Sequence, residues 1–317
     1  MGVDITGPNN TVGGTVSEAR NVISGNGVYG LRISWVGEPI RATGNKVEGN
    51  YIGTDASGTQ EVGNGDCGVD IFQAPNNTIG GTVSGAGNLV SGNSCGVHIS
   101  GADGNEVKGN TIRDNAFDGM AIFDGDDNTV GGTGSDAGNQ IFNNGRNGVD
   151  FFLGGTGNRI LSNRIYGNAG LGIDLENVSL NPSGGVTPND ENDLDTRRPN
   201  NLQNFPVITS ATRNSTTGVT TITGTLNSNP GQTYTIQCFA TEAGGDPSAH
   251  GEGQTFLAET TTATDANGDA TFTCTSDVPA VGNMVSTTAT NTSGTAPGTA
   301  IGDTSEFSDN VVVTSST

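Results

Sequence analysis

The chain has 317 residues, 31% of them hydrophobic and 5% aromatic, and a formal net charge of −21 from 12 Lys+Arg against 33 Asp+Glu. That balance argues against nucleic acid and against anionic membrane surfaces, both of which select basic faces, and no apolar run approaches a membrane span, so no membrane insertion is expected. The length leaves room for two domains, and the scarcity of large side chains calls for a thin interior.

Two short phrases alternate from residue 1 to about 180. One is Gly-(apolar)-x-(apolar), at Gly2-Val-Asp-Ile5, Gly30-Leu-Arg-Ile33, Gly68-Val-Asp-Ile71, Gly96-Val-His-Ile99, Gly119-Met-Ala-Ile122, Gly148-Val-Asp-Phe151 and Gly172-Ile-Asp-Leu175. The Gly numbers step by 28, 38, 28, 23, 29 and 24. The other is Asn-x-(Val/Ile)-x-x-Asn, at Asn21/Asn26, Asn45/Asn50, Asn88/Asn93, Asn105/Asn110, Asn139/Asn144 and Asn158/Asn163. Both are too short for helices and alternate with period two, as strands do. A repeat of this length is too short for a strand-helix-strand crossover and suits one turn of an all-strand solenoid. Val, Ile and Leu then stack inward, while Gly and Asn take the corners that need left-handed backbone angles. Asn at one corner of successive turns can bond its neighbours above and below. The chain opens inside a repeat phrase, at Met1-Gly2-Val3, which predicts earlier coils in a longer protein.

Glu38-Pro39 marks a corner. Residues 53–66 account for the longest step and predict a polar excursion, the kind of segment that carries function more often than core strands. The three Asn-Thr-(Val/Ile)-Gly-Gly-Thr phrases, at Asn10, Asn77 and Asn128, predict bulges on one side of the coil. They are not phosphate loops, because no helix follows and no Lys stands at the required place. Cys67 and Cys95 each precede the Gly of a repeat phrase. On consecutive turns their Cα atoms would lie ~5 Å apart, within disulfide range. Cys238 and Cys274 fall in two alternating runs and could pair across a sheet. The alternative is buried free thiols. Two pairs with no leftover point to an oxidising, extracellular or cell-surface setting.

Residues 181–204 form an acidic linker or cap. Pro182, Pro188 and Pro199 end regular stacking, and Asp190, Asn192, Asp193 and Asp195 offer oxygens that could hold Ca²⁺, although the Gly and closing Glu of an EF-hand are missing. A solvated acidic linker is the plainer expectation. From 205 to 317, alternating Thr-rich runs predict strands over 207–212, 219–226, 233–241, 255–263, 270–275, 284–290 and 310–313. Asp265-Ala-Asn-Gly-Asp269 reads as a hairpin turn and, more weakly, as a calcium signal. About seven strands in roughly 110 residues fit an immunoglobulin-like β-sandwich.

The phrases Asn77-Thr-Ile-Gly-Gly-Thr82, Asn88-Leu-Val-Ser-Gly-Asn93 and Gly49-Asn-Tyr-Ile-Gly-Thr-Asp-Ala-Ser-Gly-Thr59 resemble the right-handed parallel β-helix repeats of pectin-lyase-like secreted and surface proteins. The resemblance covers about residues 1–180. Leu202-Gln-Asn-Phe-Pro-Val-Ile208 resembles the junction of such proteins, and Gly251-Glu-Gly-Gln-Thr-Phe-Leu257 and Thr304-Ser-Glu-Phe-Ser308 resemble the sandwich modules that follow. The expected architecture is therefore all-β, with a β-helix over 1–180, the acidic segment over 181–204 and a sandwich over 205–317. The class holds lyases, hydrolases, epimerases and adhesins, so it implies a polysaccharide or cell-surface glycan as partner without fixing an activity.

One ordered array of ionisable groups follows from the repeat. The outward position of the Gly phrase reads Asp4, Arg32, Asp70, His98, Ala121, Asp150 and Asp174. Asp150 and Asp174 should lie ~5 Å apart on neighbouring turns, near the spacing of a retaining glycosidase pair. Asp70 could orient His98 for proton transfer. Against an enzyme stand the absent Gly-His-Gly and Arg-x-Lys phrases of related hydrolases, no Lys in the column, and few aromatic platforms. The leading expectation is a binding stalk or adhesin-type protein, with a polysaccharide lyase or glycoside hydrolase as the alternative.

Overall fold

The computed structural model describes residues 1–35, 37, 41–134, 136–175, 185–242, 250–294 and 300–316. The expected corner at Glu38-Pro39 and Pro182 lie outside the described residues. Three parallel sheets coil around one axis. The front sheet has seven strands, Val3–Ile5, Leu31–Ser34, Val69–Phe72, Val97–Ser100, Met120–Phe123, Val149–Phe152 and Ile173–Leu175, stacked in chain order. The second sheet runs from Thr11–Gly13 to Arg159–Leu161 and the third from Val22–Ile23 to Arg164–Tyr166, with six strands each. Strand after strand pairs at the same repeat position, for example Val69 with Val97, Asp70 with His98 and Ile71 with Ile99. This is a parallel β-helix. Its only helical turns among the described residues are two 3-10 segments, Ser17–Ala19 and Pro199–Leu202, and no helix is long and apolar enough to cross a membrane.

The interior is a narrow file of Leu31, Ile33, Val47, Ile52, Ile71, Ile79, Ile99, Ile112, Ile122 and Ile141, all without solvent exposure. Around it run three amide ladders. Asn10, Asn45, Asn77, Asn105, Asn128 and Asn158 form one, Asn21, Asn50, Asn88, Asn110, Asn139 and Asn163 the second, and Asn26, Asn64, Asn93, Asn115, Asn144 and Asn168 the third. In each step one Oδ1 accepts both the backbone N–H and the Nδ2–H of the Asn one turn earlier, as at Asn110, which receives Asn88. Buried backbone donors at the corners are thereby satisfied without water. Glycine is required where turns approach: Gly53 sits at φ 91°, and a Cβ there would stand 2.1 Å from the Ser91 carbonyl oxygen.

The excursion at 53–66 is a compact loop. Asp55 Oδ1 accepts the backbone N–H groups of Thr59 and Gln60, and a bridge between Thr54 and Glu61 closes it. Cys67 and Cys95 are bonded on consecutive turns, with Cα atoms 4.3 Å apart.

Two four-stranded sheets make up the C-terminal region. One orders Asp269–Ser276, Thr220–Asn227, Val207–Asn214 and Thr314–Ser316; the other orders Thr255–Ala263, Thr233–Thr241, Met284–Asn291 and Val311–Val312. Ile222, Tyr234, Ile236, Phe272 and Val285 fill one core between them, crossed by the Cys238–Cys274 disulfide. The last expected strand, 310–313, divides: Val311–Val312 pairs in one sheet and Thr314–Ser316 in the other, because buried Val313 carries the chain across the core.

The end of the coil is closed by side chains from later in the chain. Asn200 Oδ1 accepts Asn158 N–H and so adds a rung to the first ladder. Glu252 Oε1 receives Asn168 at the end of the third. Glu306 accepts the N–H of Leu175 and of Thr187. Leu202, Phe239 and Phe307 join the solenoid core. Strand edges that would template further pairing are covered here.

Candidate functional site

The outer face of the front sheet carries three parallel files. The middle one is the column expected from the repeat: Arg32, Asp70, His98, Ala121, Asp150 and Asp174 occupy paired positions. Two residues further along each strand stand Ser34, Phe72, Ser100, Phe123 and Phe152, also paired turn to turn. On the other flank, just before each Gly, stand Tyr29, the Cys67–Cys95 disulfide, Asp118 and Asn147.

The structure brings together a first polar cluster at Asp70. Its Oδ1 lies 2.9 Å from His98 Nδ1, and its Oδ2 lies 3.0 Å from Arg32 Nε, an ion pair whose N–H direction misses hydrogen-bond alignment. Asp70 is buried, while the Arg32 and His98 side chains are each 28% exposed. This contact ties Nδ1 of His98 to the carboxylate and leaves Nε2 as the nitrogen an outside molecule can meet. The Arg32 guanidinium also lies over the rings of Tyr29 and Phe72, with centroids at 5.3 and 5.0 Å. Burial, with Asp70 and Asp66 nearby, pushes the Tyr29 phenol up from its ordinary value.

A second cluster lies two turns on. Arg146 reaches Asp118 at 3.5 Å and Asp150 at 3.8 Å, and Asn147 donates its Nδ2–H to Asp174. Burial raises the Asp118 carboxyl, against the opposing pull of the Asn147 N–H and Arg146. Asp150 and Asp174 are neighbours as expected, but both are buried, and neither oxygen of Asp150 reaches solvent. The expected open pair, an acid beside a base above a sugar, is not what these two present. Their flanking side chains hold them as internal ion-pair and amide partners.

The phenylalanine file went unread in the sequence, although its signal was one residue away. Each of Phe72, Phe123 and Phe152 directly follows a Gly phrase. All three are half-buried, and the Phe123 and Phe152 rings stand 6.4 Å apart. A file of apolar rings beside hydrogen-bonding groups can seat the alternating faces of a sugar chain.

The acidic loop is arranged differently from an open cation site. Asp193 is buried, its oxygens accept the Ser228 hydroxyl and the Asn204 N–H, and burial pushes its carboxyl up to about 7. Asp190 Oδ1 and Asn192 Oδ1 are buried atoms without a donor, and Asp195 is raised by burial and by Asp190. Among the described residues, the only three His, Cys, Asp or Glu ligand atoms within 4.8 Å of one another belong to Asp66, Cys67 and Cys95, two of them in a disulfide. Asp265 Oδ1 accepts the N–H groups of Asn267 and Asp269, as a hairpin turn requires.

Residues 59–190 match the family described as right handed beta helix region, which agrees with the three parallel sheets. The chain is similar to the periplasmic alginate epimerase AlgG at 22% identity, over 55% of this chain and 36% of that one, with a TM-score of 0.33. It is also similar to the enzymatically active domain of Bacteriophage CBA120 tailspike protein 2 at 12% identity, over 82% of this chain and 48% of that one, with a TM-score of 0.27. The chain thus spans less than half the length of either structure. No curated protein matches it.

Proposed function

We propose that this is an extracellular β-helix protein whose front-sheet face binds a polysaccharide. The observation that carries the reading is the register of two files on one face, the half-buried Arg32 and His98 beside Phe72, Phe123 and Phe152. A linear glycan has the same one-dimensional repeat and could engage successive turns. Two disulfides support the extracellular setting. The two-sheet C-terminal region, with its core-crossing disulfide, supports the immunoglobulin-like reading, and its packing on the coil end supports a role as cap and spacer.

A second reading is favoured by one contact. His98 held by Asp70 at 2.9 Å is an oriented base, which suits a lyase or hydrolase acting on the same polymer. Asp190 Oδ1 and Asn192 Oδ1, left without donors, support Ca²⁺ in the acidic loop, with Asp193 outside the set. The test is incubation with a panel of plant, algal and bacterial polysaccharides in the presence of calcium, read by retention and by mass spectrometry of products. Retention without products supports the binding protein. Discrete oligosaccharides that vanish in His98→Gln support the enzyme. Neither retention nor products from any polymer contradicts both.

A further inference from the structure

The junction phrase Leu202-Gln-Asn-Phe-Pro-Val-Ile208 has no part in the front face, yet its backbone is unusual. Asn200, Asn201 and Leu202 hold left-handed angles in succession, with φ of 43°, 48° and 55°. Such a run is costly for non-glycine residues and persists only where the surroundings fix it. Here Leu202 is buried in the solenoid core, Asn200 extends the first ladder, and Asn204 Nδ2 donates to the carbonyls of Asp190 and Asn227. Gln203, between these anchors, reaches Ser228 just beyond the sandwich strand Thr220–Asn227. Ser228 Oγ donates to Asp193 Oδ2 at 2.6 Å, Gln203 Nε2–H donates to Oγ at 2.9 Å, and Tyr234 Oη lies 2.7 Å from it. Ser228 and Tyr234 are 0% exposed, Asp193 3% and Gln203 5%. A hydroxyl with a carboxylate on its proton and a carboxamide on its lone pair has base and acyl group at hand in one dry pocket.

We propose that this cluster is a self-modification site, in which Ser228 and Gln203 join as an intramolecular ester. Asp193 takes the Oγ proton. Oγ then attacks Gln203 Cδ, the atom one bond beyond Nε2, once the carboxamide has turned about its last torsion. The tetrahedral adduct collapses by breaking the C–N bond. The proton held by Asp193 passes to the departing nitrogen, which leaves as ammonia, so the step consumes no oxidant, cofactor or water. Neighbours fixed within hydrogen-bond reach replace a bimolecular encounter, and burial shields the ester from hydrolysis. The link spans 25 residues of sequence and ties the segment that closes the coil end to the sandwich. It makes that junction covalent, and it does not depend on what the front face binds.

Mass spectrometry of the full chain, denatured and with both disulfides reduced, tests this. The wild type should weigh one ammonia less than its sequence. Its digest should contain a peptide joining positions 203 and 228, which mild alkali splits as it splits esters, returning the glutamine as its acid. Ser228→Ala and Gln203→Ala should restore the full sequence mass, while Ser228→Thr keeps the loss. Asp193→Asn, similar in shape but unable to take the proton, should slow linkage at least about a hundred-fold and leave most molecules at full mass. Circular dichroism checks the fold of each variant, and the wild-type mass decides the matter even where a variant does not fold. Three results would overturn the proposal. One is the full sequence mass in the wild type. Another is an ammonia loss that survives in Ser228→Ala, as succinimide formation at Asn267-Gly268 would give. The third is linkage as complete in folded Asp193→Asn as in the wild type.

Discussion

The two halves of the chain are held together by different means. Strands in the coil are two to four residues long, too short to stand alone, and each turn depends on its neighbours through the amide ladders and the Ile/Val file. The sandwich pairs six antiparallel strands of eight or nine residues around a core that includes Tyr234 and Phe272. In the coil, order resides in the corners; in the sandwich, it resides in the packed faces. A coil held at its corners leaves one outward face of every turn free to vary, and the front sheet uses that freedom for its charged and aromatic files.

Removing the disulfides one at a time probes both halves at equal strength. The closed loops differ little, with separations of 28 and 36 residues, so Cys67→Ser/Cys95→Ser and Cys238→Ser/Cys274→Ser should each cost about 4 kcal/mol. Denaturant unfolding should show the first pair destabilising the coil and the second the sandwich. A shift of both halves by either pair would mean they unfold as one unit, as the shared Phe239 and Phe307 contacts allow.

A ladder substitution comes next. Asn110→Ala deletes the acceptor of Asn88 N–H and Nδ2–H and the donor to Ile79 O and Asn139 Oδ1. Leaving those buried groups unpaired should cost on the order of 3 kcal/mol. Thr273→Ala, on an exposed sandwich position, should stay within about 0.5 kcal/mol. Equal costs would remove the corner-versus-face distinction.

Acidity acts where the halves meet. Burial holds the Glu306 carboxyl at about 8 and the Asp193 carboxyl at about 7, above their ordinary values of 4.5 and 3.8. The native state then binds more protons, so this contribution is full below the unfolded values and is lost as pH rises through 7 to 8. The melting temperature should fall by several degrees between pH 5.5 and 8.5, and Glu306→Gln with Asp193→Asn should flatten that slope. A melting temperature that rises over this range would contradict it. The smallest effect expected is from chelation, which should lower the sandwich transition by a degree or two if Asp190 and Asn192 help hold Ca²⁺. An unchanged curve would count against the ion.

Much of this was legible because the coil repeats. Seven Gly phrases placed the front strands, and the position of Cys67 and Cys95 before two of those glycines anticipated their bond. Asn pairs announced the corners, yet spacing alone did not show that Asn45 and Asn50 enter different ladders. The column Asp70–His98 was readable, but its burial was not, since Asp150 and Asp174 are covered by residues from other segments such as Arg146 and Asn147. Glu252 and Glu306 gave no sequence signal as caps, because they reach the coil end from 84 and 131 residues away.

The central claim is that the front face binds a glycan along its rings. The most direct measurement is affinity electrophoresis of the full chain against the retained polysaccharide, comparing wild type with Phe123→Ala/Phe152→Ala. The account predicts retardation by that polymer and at least about ten-fold weaker retardation in the double variant. Retardation equal in the two proteins, with the variant still folded, would contradict it.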